Sequence, residues 1–289
     1  MEWQTRTTQN RVPKGMRVRL SPRAPMKEQI TPIYEDKNFL AVYKPAGLLV
    51  HRVLSSKYQA PQENTLVDWL IKKYPEIKNV GDPSALRPAQ GRLKQSREAT
   101  SSGQVNLRPG IVHRLDRETS GVILIAKNQK YFEYLKNLFQ TRQIKKTYLA
   151  LVWGKVEPKM GVIEKPIRLK SGTIKRTVWQ GKMEKEAITE YKVIKFLKLK
   201  VDKGEKIFSL VKVMPKTGRT HQIRVHLASI SHPIVGDTLY GTKKNPFNLE
   251  RQFLHAESLE FSLENGRRIK IEAGLPEELK SILKRLTNK

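Results

Sequence analysis

The sharpest candidate for chemistry in this sequence is a carboxylate. The run Ile111-Val-His-Arg-Leu-Asp-Arg-Glu-Thr-Ser-Gly121 sets Asp116 between Arg114 and Arg117, in a loop that enters the apolar segment Val122–Ala126. Read by itself, the run also fits an exposed salt-bridge cluster, since surface charge runs are common. A second segment, Thr217-Gly-Arg-Thr-His-Gln-Ile-Arg-Val-His-Leu-Ala228, brings Arg219, His221, Gln222 and Arg224 to the start of a helix expected over Arg219–Ser229. Free N–H groups at such a start suit phosphate or carboxylate. A third, Ile234-Val-Gly-Asp-Thr-Leu-Tyr-Gly241, is a turn punctuated by glycine, and a fourth is Tyr43-Lys-Pro-Ala-Gly-Leu-Leu-Val-His51.

Other chemistries fit less well. There is no cysteine, which removes disulfides, thiol catalysis and cysteine zinc sites. His221 and His226 are poorly spaced for ligands on one helix face, and no His-Glu-x-x-His pattern occurs, so no metal is expected. Asp116 and Glu118 share one short loop, whereas a glycosidase's acid and base usually flank the bond from separate elements. No Gly-x-x-x-x-Gly-Lys phosphate loop is present.

These segments need elements to hold them. Residues 31–51 read as a hairpin, with a strand at Phe39–Tyr43 and a turn at Pro45–Gly47. Asn64 or Thr65 caps a helix through Leu66, Trp69, Leu70 and Ile71. Asn128 caps another, with Tyr131, Phe132, Leu135, Leu138 and Phe139 on one face. Tyr148–Trp153, Ala187–Phe196 and Phe208–Met214 read as adjacent antiparallel strands. Leu259–Leu263 and Arg268–Ala273 form a closing hairpin before a terminal helix, Glu277–Leu286, with Pro276 at its first turn. The sum is an α+β fold, a long, mostly antiparallel mixed sheet with a few helices.

The composition names the partner. The chain of 289 residues carries 56 Lys and Arg against 27 Asp and Glu, a formal net charge of +29. Such a surplus repels itself and is usually offset by a polyanion. Because the basic residues are spread along the chain, nucleic acid is expected rather than a membrane surface. No apolar run reaches membrane-spanning length and no secretory signal opens the chain, so a cytoplasmic location is expected. Two stretches are basic without period. Residues 1–29 read as an arm with a short strand at Met16–Leu20, and residues 82–110 as a long loop rich in Arg, Pro, Gly and Ser.

The four segments, in this order along the chain, resemble those of the RluA-type pseudouridine synthases. The resemblance covers roughly residues 31–275, the whole catalytic domain of that family. Lys146-Thr-Tyr-Leu-Ala150, Ala187-Ile-Thr-Glu-Tyr191 and Leu254-His-Ala256 add to it. It implies that fold with a central cleft, isomerisation of uridine to pseudouridine in structured RNA (ribosomal or transfer), and no cofactor. It implies that Asp116 is the essential carboxylate, attacking the anomeric carbon or removing the neighbouring proton. Arg224 would pair with it, and Tyr148 would stack on the detached uracil. Arg114 would fill the place of a flipped base, with His113 and Leu115 shaping its loop and Ile223 on the wall of the uracil pocket. Arg219 and Gln222 join these as substrate-binding residues. The runner-up is a catalytically inactive RNA-binding or ribosome-associated protein of the same fold.

Two departures are visible. Many relatives carry a small RNA-binding domain before the catalytic one. Here only residues 1–29 precede a catalytic domain of 30–289, so no separate domain is expected and the arm and the 82–110 loop are expected to substitute in part. Ser231 stands before His232-Pro233 where relatives often have Gly, a strain if that site is left-handed. A monomer without DNA specificity is expected.

Overall fold

A computed structural model describes residues 29–51, 64–81 and 108–287, except 172, 174, 203, 243 and 244. The expected strand at Met16–Leu20, nearly all of the basic arm and most of the 82–110 loop lie outside the described residues.

The chain opens with β1 (Thr31–Glu35) and β2 (Phe39–Lys44), which pair antiparallel. The hairpin turn is therefore at Asp36–Asn38, where the Asp36 carboxylate accepts from the Asn38 and Phe39 N–H groups. The turn expected at Pro45–Gly47 is present at Ala46–Gly47, but it follows β2 and leads the chain out of the sheet instead of joining the hairpin's two strands. Helix α1 (Leu66–Lys73) starts at a capping box, with Thr65 and Asp68 satisfying each other's backbone N–H. Strand β3 (Ser120–Ala126) is buried along its whole length, which explains its unbroken apolar run. Helix α2 (Gln129–Gln140) is capped by the Asn128 side chain and buries Tyr131, Phe132, Leu135 and Leu138.

Strands β4 (Lys145–Trp153) and β5 (Met160–Glu164) follow, and then three short ones: β6 (Ile167–Leu169), β7 (Arg176–Thr177) and β8 (Lys182–Lys185). Next come the long hairpin β9 (Ile188–Val201) and β10 (Gly204–Pro215) and helix α3 (Gln222–Ser229). Strands β11 (Leu254–Ser262) and β12 (Arg268–Glu272) and helix α4 (Glu277–Thr287) close the chain.

The main sheet runs β1-β2-β3-β11-β4-β10-β9-β5, with β12 on β11. Pairing is antiparallel except where β11 meets β3 in parallel. Gly121 stands at that junction with φ of 126°; a Cβ there would lie 2.2 Å from the Ala256 carbonyl oxygen, so only glycine lets the strands close. The join lies between two cores. One packs β2, β3, α1 and α2, the other β4, β9, β10, α3 and α4, and Tyr148 packs against both. The separate sheet β7-β6-β8 was not expected from the sequence. Its strands are too short to carry a period.

Helix α3 begins three residues later than expected. His221 has φ of 56°, outside the helical region, so Arg219 and His221 lie in the approach loop. A non-glycine residue held there costs on the order of 1 kcal/mol. At the other end the Ser231 and His232 N–H groups bond back to the Ala228 and Leu227 carbonyls, with Ser231 at φ of 66°. This is a Schellman closure, and Ser231 occupies the left-handed position that glycine favours.

Candidate active site

The loop that carries Asp116 is held at several points. Gly110 donates to Val80 and accepts from Ala126. A Cβ at Gly110 would lie 2.2 Å from the Ala126 oxygen, so the loop can hug β3 only with glycine there. Further on, Nε2 of His113 accepts the Leu124 N–H at 2.9 Å, and its ring stacks on Phe139 at 4.5 Å between centroids. Burial, aided by nearby Lys146, pushes this imidazole down to about 3. His113 is thus a neutral acceptor for a strand N–H, and Leu115 beside it is buried. Asp116 then opens a turn closed by the Thr119 N–H on its carbonyl at 3.1 Å.

The corner of that turn is fastened by a lysine to which the sequence assigned no role. The side chain of Lys44 is fully buried, and its Nζ donates to the carbonyls of Pro45, Leu48 and Arg117. Gly47 N–H also donates to the Arg117 carbonyl, at 3.0 Å. The Tyr43–His51 segment is therefore a bracket for the Asp116 loop. Burial pulls the Lys44 ammonium down to about 7, with Glu118 and Asp116 opposing that shift. A lysine spent on three carbonyls in the interior is not visible in the Lys-Pro spacing.

Arg224 projects from the first turn of α3 between two carboxylates. Its Nη1 donates to Asp116 Oδ2 at 3.1 Å. Its Nε and Nη2 donate to Asp237 Oδ2 and Oδ1 at 2.7 and 2.9 Å, the bidentate fork that fixes a guanidinium's plane. Asp237 is fully buried and also accepts the Leu239 and Tyr240 N–H groups. Burial would raise this carboxyl, but the Arg224 bond and charge hold it below its ordinary value. Burial likewise opposes charge on Arg224, yet the two carboxylates drive its pKa upward. The Arg224 guanidinium also lies 5.2 Å from the centre of the Tyr240 ring. Asp237 and Tyr240 are the residues that sequence reasoning left unassigned here. The signal was Gly236-Asp237: Gly236 has φ of 78° and comes within 2.0 Å, measured from a Cβ position, of the Arg251 carbonyl oxygen.

Tyr148 projects from β4 into the same cleft. Burial, and then the charge of Asp116, raise its hydroxyl, so it stays protonated at neutral pH. The cleft has a volume of about 1440 Å³ and is lined by Asp116, Tyr148, Arg224, Arg114, His113, Leu115, Ile223, Arg219 and Gln222. All nine residues expected at the site therefore face one cavity, but not in equal standing. Gln222 is buried and its amide is fully occupied: Oε1 accepts from Thr217 and Arg219, and Nε2 donates to Ile188 and Thr189. It has no free hydrogen-bonding group for a substrate and instead ties the Arg219 loop to β9. Arg219 spends its Nε on the Glu186 carbonyl, and Arg114 is exposed at the cleft.

The rim is basic. Arg108, Arg114, Lys136, Arg142, Lys146 and Arg219 face the cleft against the carboxylates of Asp116 and Glu133. Among the described residues, no group of three or more His, Cys, Asp or Glu side chains is placed to hold a metal. None of the described helices is long and apolar enough to cross a membrane.

A family model described as RNA pseudouridylate synthase matches residues 38–229. An "Uncharacterized RNA pseudouridine synthase" of Aquifex aeolicus is 40% identical over 213 residues, which cover 74% of this chain and 56% of that protein. The "Ribosomal large subunit pseudouridine synthase C" of Buchnera aphidicola is 35% identical over 262 residues, covering 88% of this chain and 70% of that one. The match to the Aquifex protein thus spans little more than half of that relative's length. In fold, the chain aligns with the solved structure titled "Human RNA Pseudouridylate Synthase Domain Containing 1" at a TM-score of 0.62 and 23% identity, covering 88% and 87% of the two chains. The expected α+β architecture is that of these structures.

Proposed function

The chain belongs to the RNA pseudouridylate synthase family, and on that premise we propose that it isomerises uridine to pseudouridine in structured RNA, ribosomal or transfer. The observation that carries this reading is one carboxylate, Asp116, bonded to an arginine that a second, buried carboxylate holds in place, inside a cleft with a basic rim.

The reaction breaks the bond between the sugar's anomeric carbon and uracil N1, turns the base, and joins carbon 5 to the same anomeric carbon. Carbon 5 loses its proton and N1 gains one, so atoms balance without a second substrate. Asp116 starts the sequence as an anion, either by attacking the anomeric carbon or by taking the proton next to it. Arg224 orients it. Because Asp237 and Tyr240 fix the guanidinium, it is positioned before substrate arrives and need not reorganise during reaction.

Tyr148 gives the freed uracil a stacking face beside Asp116. Its protonated hydroxyl makes it a donor at rest, so the proton leaving carbon 5 needs another acceptor or a relay through it. A uridine within a helix must first be turned out of the stack, at a cost of a few kcal/mol, and Arg114 at the mouth of the cleft is the residue to occupy its place. The rim cations neutralise backbone phosphates and hold the RNA while that cost is met.

The test is release of tritium from carbon 5. Total RNA labelled with 5-tritiated uridine is prepared from a strain lacking the gene and incubated with the protein. The wild-type chain should release tritium, and Asp116→Ala should release none while still binding RNA. Full release by the variant would sink the assignment.

A further inference from the structure

Tyr240 lies in the site without contacting Asp116 in any hydrogen bond, and its hydroxyl has two near partners. The Arg176 backbone N–H donates to Tyr240 Oη at 2.8 Å. Oη also lies 2.9 Å from Nδ1 of His221. A phenol has one hydrogen, and among the described residues His221 is the acceptor within its reach. The network therefore assigns the tyrosine hydrogen to Nδ1. His221 is then a neutral imidazole whose hydrogen sits on Nε2, and this nitrogen bonds to no described residue while the ring lines the cleft.

The backbone helps to place it there. At φ of 56°, His221 stands ahead of α3 without capping the helix with its side chain. A left-handed backbone at a non-glycine residue is uncommon, though histidine adopts it more often than most, and such conformations cluster at functional sites. Burial keeps the imidazole below its ordinary value. Asp116 and Asp237 oppose that, while Arg224 and Arg176 reinforce it.

We propose that His221 donates its Nε2 hydrogen to a carbonyl oxygen of the target uracil, as a fixed neutral donor oriented by Tyr240. The uracil part of this inference rests on the isomerase reading above. The neighbouring Asp116 decides the ligand's charge, because an anionic phosphate beside that carboxylate would be repelled whereas a neutral carbonyl is not. The donor also suits the chemistry. When the bond to N1 breaks, its electron pair passes into the base and spreads over the two carbonyl oxygens. A donor already aimed at one of them strengthens as that charge develops. No proton is transferred, so His221 begins and ends each cycle neutral.

Two measurements test the inference. The first is the nitrogen-15 spectrum of the imidazoles of the full chain, with His221→Gln used to identify the His221 signals. A protonated Nε2 and a bare Nδ1 at neutral pH are expected, with that preference weakened in Tyr240→Phe. A hydrogen on Nδ1, or an imidazolium, would overturn the proposal. The second is tritium release from the labelled RNA described above. His221→Ala should lower kcat on the order of a hundredfold, the scale for one lost donor to a developing charge, with the Michaelis constant changed less than about threefold. In His221→Gln the amide nitrogen reaches the place of Nε2, so at least about tenfold of the loss should return. His221→Ala at the wild-type rate, or His221→Gln no better than His221→Ala, would overturn the donor role. A wild-type chain that released no tritium would overturn the isomerase reading and the uracil assignment with it, while the spectrum would still decide the tautomer.

Discussion

Arg224 meets Asp237 through two parallel hydrogen bonds but reaches Asp116 through one, from Nη1 alone. The carboxylate proposed to react is therefore the more loosely held of the pair. It is also the more exposed: the side chain of Asp116 keeps 21% of its accessible surface and that of Asp237 none. The division follows from what each must do. Asp237 is an anchor, and Asp116 needs a lone pair left for substrate.

That asymmetry separates two variants. Asp237→Ala leaves a buried guanidinium without its bidentate partner and should destabilise the fold by about 3 kcal/mol. Asp116→Ala breaks a partly exposed bond and should cost less than about 1 kcal/mol, yet abolish activity. Urea unfolding of both variants checks this. Equal losses of stability would show that the two carboxylates share the load.

Lys146 should make RNA binding sensitive to pH. Its Nζ lies at the cleft and donates to the Thr217 carbonyl. Burial, then the charge of Arg142, lowers the ammonium to about 8. The charged form exists below that value, so its attraction for phosphate is present in acid and lost as pH rises through it. Affinity for RNA, measured by filter binding, should fall across that interval. In Lys146→Met the fall should flatten, and the salt slope should drop by ~1.

Ser231→Gly should stabilise the protein by up to about 1 kcal/mol, because glycine takes φ of 66° without the steric cost of a Cβ. Thermal melting would show it. A lower melting temperature would mean that the Ser231 side chain contributes more than the strain removes.

The role of the 82–110 loop in RNA binding can be tested through the loop's ends. Gly110 N–H donates to the Val80 carbonyl at 2.7 Å, so the chain leaves and returns at nearly one place. Replacing residues 83–107 by a short glycine link should preserve the melting transition and raise the Michaelis constant for RNA more than it lowers turnover. An unchanged constant would remove the loop from RNA binding. For the intact chain, affinity should fall on the order of a thousandfold between 50 and 200 mM salt if about six phosphates are neutralised.

The elements were legible wherever a local cause operated. Thr65 and Asn128 announced their helices because a cap is a bond within four residues. Val122–Ala126 announced a buried strand because nothing polar interrupts it. The hairpin within residues 31–51, its strand and the turn at Ala46–Gly47 are where they were read, but the tight turn that joins its strands went unread, because Pro45-Ala-Gly47 carries stronger turn residues than Asp36-Lys37-Asn38. The start of α3 was misplaced because the left-handed residue is a histidine, and although histidine takes that backbone more often than most residues, its type alone does not announce it.

For the site, the sequence by itself determined the family, the cleft-facing residues and the surplus of positive charge that the proposed RNA would offset. Residue types, order and net charge are properties of the chain and survive without coordinates. What the tertiary structure decided was who holds whom. Asp116 and Arg224 are distant in sequence and bond only in the folded chain; Lys44 reaches the Arg117 carbonyl beside Asp116, and Asp237 and Tyr240 reach Arg224, with His221 bonded to Tyr240, through contacts that the fold alone makes. Hydrogen bonds act over about 3 Å, and no spacing along a chain encodes which side chains the fold will bring within that distance. The carboxylate between Arg114 and Arg117 could be found by reading; the second carboxylate behind Arg224, and the tyrosine hydroxyl set against His221, could not.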